Sequence, residues 1–491
     1  MQTGRTRSLL CQGPKQLASV LQGWAGDVTL VLSEPRFDFL GEHMETLRNY
    51  QTLVVLDAWL ATAQTAEAMD ALSSVGHLVV WAPGPWKASW LDALPPGVRL
   101  AGLQLYERQS STSSLAACPE RLGALTLCSL CLTGLPESMG QLAALTTLSL
   151  GGCRSLTGLP ESMGQLTALT TLDLRCCRSL TMLPETIGQL KALTTLVLKS
   201  CWSLTRLPES MGQLTALMKL DLGACTSFAA LPGWMGNLTA LTTLNLYVCQ
   251  LMPGLPESMG QLAALKTLYL GSCWSLTELP ESMGQLAALA TLDLFGCRSL
   301  TGLPESMGYL TALTTLNLSA CISLTAVPEW IGHLAALTSL HLSGCDWSTG
   351  LPESMGQLAA LKTLYLRYCR SLTALPEWVG QLTALTTLDL TSCISLTGLP
   401  ESVGQLAALK MLDLSSCESL TGLPECIGQL TALTDLDVYY CDALPPAMHR
   451  IADGVVFANA RFLRFRRREL LLATIGRRRH LQGRFRLPPE L

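Results

Sequence analysis

The chain has 491 residues, of which 49% are hydrophobic, 14% charged and 6% aromatic, with a formal net charge of −4. Low charge with high apolar content excludes a disordered chain. No uninterrupted apolar run reaches the ~18 residues of a membrane-spanning helix, and the start (Met1-Gln-Thr-Gly-Arg5-Thr-Arg7) lacks the apolar stretch of an export signal. A cytoplasmic location is expected, with the nucleus as the alternative.

Residues 1–118 carry no strict motif. Apolar, strand-like runs nevertheless recur at Val28–Leu32, Leu53–Leu56, Leu78–Trp81 and Leu100–Leu105. The steps from Leu32 to Leu56 and from Leu56 to Val80 are both 24 residues. A helix-like segment, Thr65–Leu72, lies between two of them. The region reads as degenerate repeats capping a longer array, or as a small separate α/β region. Residues 108–118 are Ser-rich and mark a seam.

From residue 119 to 445 the chain repeats itself. The unit is L-x-x-L-x-L-x-x-C-x-x-L-x-x-L-P-E-x-M-G-x-L-x-A, with a cysteine every 24 residues from Cys153 to Cys441. Such self-similarity signals a stack of identical small units, none of which buries its apolar face alone. In Leu145-Thr-Thr-Leu148-Ser-Leu150 the alternation predicts a short strand with one buried face. Leu159-Pro160-Glu161 opens a return limb. Proline suits the first position of a short helix, and glutamate suits its positive end. Leu159, Met163 and Leu166 are placed to point inward, and Gly164 to let the chain turn back.

The cysteine ladder could suggest disulfides, metal or redox chemistry. The regular spacing gives no C-x-x-C pairs with a matching second pair, and stacked side chains pointing the same way fit disulfide geometry poorly. Buried, reduced thiols packing as small apolar groups are expected. Two sequon-type triplets, at Asn237 and Asn317, read as by-products of the repeat.

Residues 446–491 form a cap and tail with eleven arginines against Asp453, Glu469 and Glu490. The aromatic residues Phe457, Phe462, Phe465 and Phe485 interleave with the arginines. A solvated end, a nuclear-import signal, or an anionic surface binder all fit this stretch.

The phrases "SLTGLPESMGQLAALTTLDL" and "LPEWIGHLAALTSLHLSGC" resemble the leucine-rich-repeat superfamily over about residues 120–445. The resemblance is nearest to the repeats of plant disease-resistance receptors and of plant intracellular Ras-group leucine-rich-repeat proteins. It implies an α/β solenoid with a curved, parallel, concave β-sheet and short helices or 3-10 turns on the convex side. It also implies that the ladder cysteine caps backbone carbonyls where the chain leaves the strand. The nucleotide-binding loop G-x-x-x-x-G-K-[ST] of the resistance receptors is missing from this sequence.

In such solenoids the outward strand residues line the usual binding face. Aromatic residues gather there at Tyr247, Tyr269 and Phe295, and again at Tyr365 and Tyr368 beside Arg367. Asp389, Asp413, Asp435 and Asp437 form an acidic end beside Tyr439 and Tyr440. Exposed aromatics among charged neighbours resemble protein-binding hot spots. Trp202 and Trp274 sit at the edge of that face. The six histidines are scattered, and no hydrolase, kinase or metallopeptidase motif occurs. The expectation is a non-catalytic scaffold without cofactor, holding a protein partner in intracellular signalling or defence. The alternatives are nucleic-acid or anionic-membrane binding by the Arg-rich tail, and an unrecognised activity in residues 1–118.

Overall fold

The computed structural model describes residues 132–345 and 350–445, together with the six strands that precede them. The chain divides into two units, residues 1–361 and 362–491.

In the first unit the early strands are β1 (Ser8–Cys11), β2 (Thr29–Leu32), β3 (Thr52–Leu56), β4 (His77–Ala82), β5 (Leu100–Glu107) and β6 (Ala124–Ser129). The regular strands follow: β7 (Thr147–Ser149), β8 (Thr171–Asp173), β9 (Thr195–Val197), β10 (Lys219–Asp221), β11 (Thr243–Asn245), β12 (Thr267–Tyr269), β13 (Thr291–Asp293), β14 (Thr315–Asn317) and β15 (Ser339–His341). Each pairs in parallel with the next. The second unit repeats the arrangement with β16 (Thr363–Tyr365), β17 (Thr387–Asp389), β18 (Met411–Asp413) and β19 (Asp435–Asp437).

All four strand-like runs expected before residue 118 are strands, but their register is not the expected 24. Leu32 faces Val55 and Leu56 faces Trp81, and β4 meets β5 with a shift between Leu78 and Val79. The steps between these early strands are unequal. From β7 onward each step within a unit is 24 residues. The segments 65–72 and 108–118, and the Arg-rich tail, lie outside the described residues.

One coil explains the others. Leu145, Leu148, Leu150, Cys153, Leu156, Met163 and Leu166 are fully buried, while Leu159 is half-buried. The strand places Leu148 inward and leaves Thr147 and Ser149 half-exposed. The threonine just before the strand donates its hydroxyl to the preceding coil's carbonyl, as Thr170 does to Thr146 at 3.0 Å. Past the strand the ladder continues through residues with left-handed backbone. Cys176, at φ 60°, donates its N–H to Lys199 O at 2.7 Å. Even Val248 adopts φ 64° here, a conformation rare for a β-branched residue.

The return limb is a 3-10 turn such as Glu161–Gln165. Two readings of it need correction. Pro160 is the residue before the turn, with extended backbone (φ −69°, ψ 153°), not its first member. The turn glycine does not reverse the chain through a left-handed conformation; it makes room. A methyl group on Gly260 would lie 2.6 Å from Ser282 O of the next coil.

The turn glutamate also acts between coils rather than only on its own turn. Glu137 Oε2 accepts the Ser162 N–H at 3.1 Å, and Glu257 accepts that of Ser282 at 3.2 Å. This satisfies a turn N–H that has no partner within its own turn. The turn Gly233–Asn237 has glycine in that place and offers the Ser258 N–H no carboxylate. A side chain at Gly233 would meet nothing within 4 Å. Gly233→Glu is therefore expected to stabilise the array by about 1 kcal/mol, from the cap and the stiffer unfolded chain. A thermal or urea midpoint that falls, or does not move, contradicts the inter-coil role of the glutamate.

Candidate functional site

Two stretches of outward strand face carry the expected site residues, one in each unit. In the first unit, β12 ends at Tyr269, while Tyr247 and Phe295 lie two residues beyond the ends of β11 and β13. All three are exposed. Their neighbours in the same positions are small or polar: Asp221, Asn245, Asp293 and Asn317 along one column, Gly223, Gly271 and Ser319 along the other.

The Asp/Asn column has a local duty that the sequence reading missed. Asp293 Oδ1 accepts the Phe295 N–H at 2.9 Å, and Asn245 Oδ1 accepts that of Tyr247 at 3.0 Å. Asp413 and Asp437 do the same for Ser415 and Tyr439. Short polar side chains commonly close such turns onto the backbone two residues ahead. The signal was present as Asp or Asn recurring at one fixed position. These carboxylates hold the strand ends in shape as well as lining the face.

In the second unit, Tyr368 and Tyr440 are exposed, and Tyr365 and Tyr439 are half-buried. The Tyr439 and Tyr440 rings are 3.9 Å apart between centroids, tilted by 59°. Asp435 and Asp437 are exposed and Asp413 is half-buried. Asp389 departs from expectation: it is 0% exposed. It lies under Arg367, whose Nε and Nη2 both approach Asp389 Oδ2 at 2.5 Å. Its Oδ1 accepts both the N–H and the hydroxyl of Thr391, at 3.1 and 2.6 Å. So Asp389 is not part of an exposed acidic end. It orients Arg367, whose own pKa is raised mainly by this hydrogen bond.

Asp389→Ala would leave two donors of Thr391 and the guanidinium without their acceptor. Because Arg367 reaches solvent and can rehydrate, the expected cost is about 2–3 kcal/mol rather than the ~3–5 of a fully buried pair. Asp389→Asn keeps the acceptor for Thr391 and should cost roughly half as much. Equal urea midpoints for Asp389→Ala and wild type would show that the pair carries no structural weight.

The cysteine ladder is not a reactive site. The ladder thiols from Cys177 to Cys345, and those of Cys393, Cys417 and Cys441, donate to the carbonyl of the leucine just past the preceding coil's strand, as Cys177 to Leu150 at 3.2 Å and Cys273 to Leu246 at 3.1 Å. Burial pushes Cys225, Cys273, Cys321 and Cys417 up to about 12 and Cys441 to about 11. No disulfide joins any of the described cysteines. The tryptophans at the edge of the face pair with arginines one coil away in the same repeat position. Arg178 Cζ lies 3.9 Å from the Trp202 ring centroid and Arg298 Cζ 5.5 Å from that of Trp274. His341 is half-buried, with Nε2 2.9 Å from Ser339 Oγ, and burial lowers its pKa. Among the described residues no group of His, Cys, Asp and Glu is placed to hold a metal ion. No helix there is long and apolar enough to cross a membrane.

Parallel three-residue strands, thiol-capped corners and 3-10 return turns at a 24-residue pitch define a solenoid repeat protein that presents one face of its sheet. The chain belongs to the leucine-rich-repeat family: the family model described as "Leucine-rich repeat region" matches residues 172–273, 255–371 and 340–451. Its fold is similar to that of a leucine-rich-repeat protein of Leptospira interrogans, with 27% identity over 87% of this chain and 99% of that one, at a TM-score of 0.66. It is also similar in fold to the Drosophila Toll–Spätzle complex (18% identity, 88% and 61% of the two chains, TM-score 0.59) and to the TLR13–ssRNA13 complex (19%, 84% and 71%, TM-score 0.57). No protein of curated function matches the chain in sequence. The fold is typical of protein-interaction scaffolds, which are generally non-catalytic.

Proposed function

We propose that this chain is a non-catalytic scaffold that holds a protein partner on its outward strand face, in intracellular signalling or defence. One observation carries the reading. Tyr247, Tyr269 and Phe295 are large, exposed aromatics on three consecutive coils of a face otherwise built from small and polar side chains. Exposed aromatics concentrated on a rigid surface are the usual anchors of protein interfaces. The second unit carries residues of the same kind on its own strand face, among them Arg367, Tyr368, Asp435, Asp437 and Tyr440. The proposal keeps residues 1–118 as a degenerate continuation of the array, supported by the in-register pairing of β6 with β7. It also keeps residues 446–491 as cap and tail.

The test is affinity capture from native extract with mass spectrometry, comparing wild type with the Tyr247→Ser/Tyr269→Ser/Phe295→Ser variant, both first shown to unfold at the same temperature. A protein captured by wild type and lost by the variant supports the reading. A set of captured proteins identical for both, or nucleic acid or anionic lipid retained through the Arg-rich tail alone, overturns it.

A further inference from the structure

We infer that the aromatic group of the first unit is a receptor for the guanidinium of an arginine side chain presented by the partner. This deepens the interaction reading above and rests on it. Tyr247 and Phe295 occupy the same repeat position two coils apart. Their backbones are therefore about 10 Å apart, at ~4.8 Å per coil. Gly271 stands between them with no side chain. A methyl group built on it would lie 2.7 Å from Tyr247 Cδ2 and Cε2 and 3.5 Å from Phe295 O. The Tyr247 ring thus reaches across Gly271 toward the Phe295 coil, which only glycine permits. Tyr269, 37% exposed, stands on the intervening coil. A planar cation stacked on the outer face of the Tyr247 ring, where that ring covers Gly271, lies inside the ~6 Å over which a cation is attracted to a ring face.

The charges point to a cation. Tyr269 is in direct register with Asp293 on the adjacent strand. Asp293 also lies two residues before Phe295, its Oδ1 holding the Phe295 N–H. Among the described residues no ion pair engages Asp293. Asp221 lies further back in the same column, its Oδ1 held by Asn245 Nδ2 at 2.9 Å and by the Gly223 N–H. The lysines nearby stand off: Lys266 is three residues before Tyr269, about 10 Å along the strand. Lys219 lies two coils back and two residues earlier. His341, two coils beyond Asp293, has its pKa lowered by burial, which disfavours its charged form. A guanidinium fits better than an ammonium because it is planar, stacks on aromatic faces and is more weakly hydrated.

The full chain, labelled with 3-fluorotyrosine, is titrated with acetyl-Gly-Arg-Gly-amide and with its citrulline counterpart, which has the same shape and no charge. Tyr247→Leu and Tyr269→Leu assign the fluorine resonances. The arginine peptide is expected to shift both, with the citrulline peptide binding about tenfold more weakly. Asp293→Asn should lower arginine-peptide affinity about five- to tenfold and leave the citrulline peptide unchanged. That variant keeps the turn acceptor, since Asn245 and Asn317 already serve in the same position. Equal binding of the two peptides, no shift with either, or an Asp293→Asn variant indistinguishable from wild type overturns the inference. Any of these results leaves the interaction reading standing if the triple serine variant still loses its captured partner. If that variant keeps the partner, the interaction reading fails independently of the peptides.

Discussion

Raising the pH is expected to unfold the array abruptly at roughly pH 10, and the ladder thiols are the cause. An unfolded cysteine ionises near ~8.5. Burial raises Cys177, Cys201, Cys225, Cys249, Cys273, Cys297, Cys321, Cys393, Cys417 and Cys441, five of them to about 11 or 12 and the others further. For a group whose folded pKa is raised, the stabilising contribution is fully present below the unfolded pKa. It is lost as pH rises toward the folded one. Between ~9 and ~11 the unfolded chain has released protons that the folded chain still holds. Each thiol then removes ~1.4 kcal/mol of stability per pH unit, so the ladder together removes on the order of 10 kcal/mol per unit. That is comparable with the entire stability of an ordinary domain. Far-ultraviolet circular dichroism and the thiolate absorbance band should change together in one steep transition. Thiolate absorbance that rises with an ordinary cysteine pKa while the circular dichroism stays native would sink the prediction.

The second large effect is steric. Gly260→Ala is expected to cost about 2–3 kcal/mol, the range of overpacking in a site that cannot relax. The added methyl would meet Ser282 O at 2.6 Å, Ser282 Cβ at 2.7 Å and Gln285 Oε1 at 2.8 Å. Two of these three atoms are backbone or Cβ atoms of a turn stacked one coil away, so relief means separating coils. Because each coil is stabilised chiefly by its neighbours, the loss should appear as early local unfolding around residues 236–285. Gly302→Ala is the matched control. It lies just before the return limb with nothing within 4 Å of the new methyl, and should be neutral or stabilising by ~0.4–1 kcal/mol. Hydrogen exchange resolves the two. Similar behaviour of both variants would mean that the turn glycines are not there for close stacking.

The two predictions share an origin. A side chain repeated every 24 residues is multiplied by the stack, so a modest local energy becomes a property of the whole array. The same multiplication explains why the glutamate cap matters at Gly233, where the repeat breaks it, and why a single buried carboxylate at Asp389 stands out from its column.

The sequence by itself determined the fold class, the parallel strands, the inward leucines, the reduced cysteine ladder and the positions of the exposed aromatics. It could do so because each of these follows from which residues alternate along one coil, and thirteen copies of the ladder cysteine make that pattern unambiguous. Even the early strands at Thr29–Leu32 and Thr52–Leu56 were legible, although their register was not, since no strict motif there marks how many residues separate one strand from the next. The tertiary structure alone decided what depends on the neighbouring coil. The turn glycine is there for a contact 22 residues away, and the turn glutamate serves an N–H 25 residues away. Asp389 looked like the other aspartates of its column. It became a buried anchor because Arg367, 22 residues earlier, folds over it. Periodicity reports the direction in which a side chain points; only the assembled stack determines what it meets there.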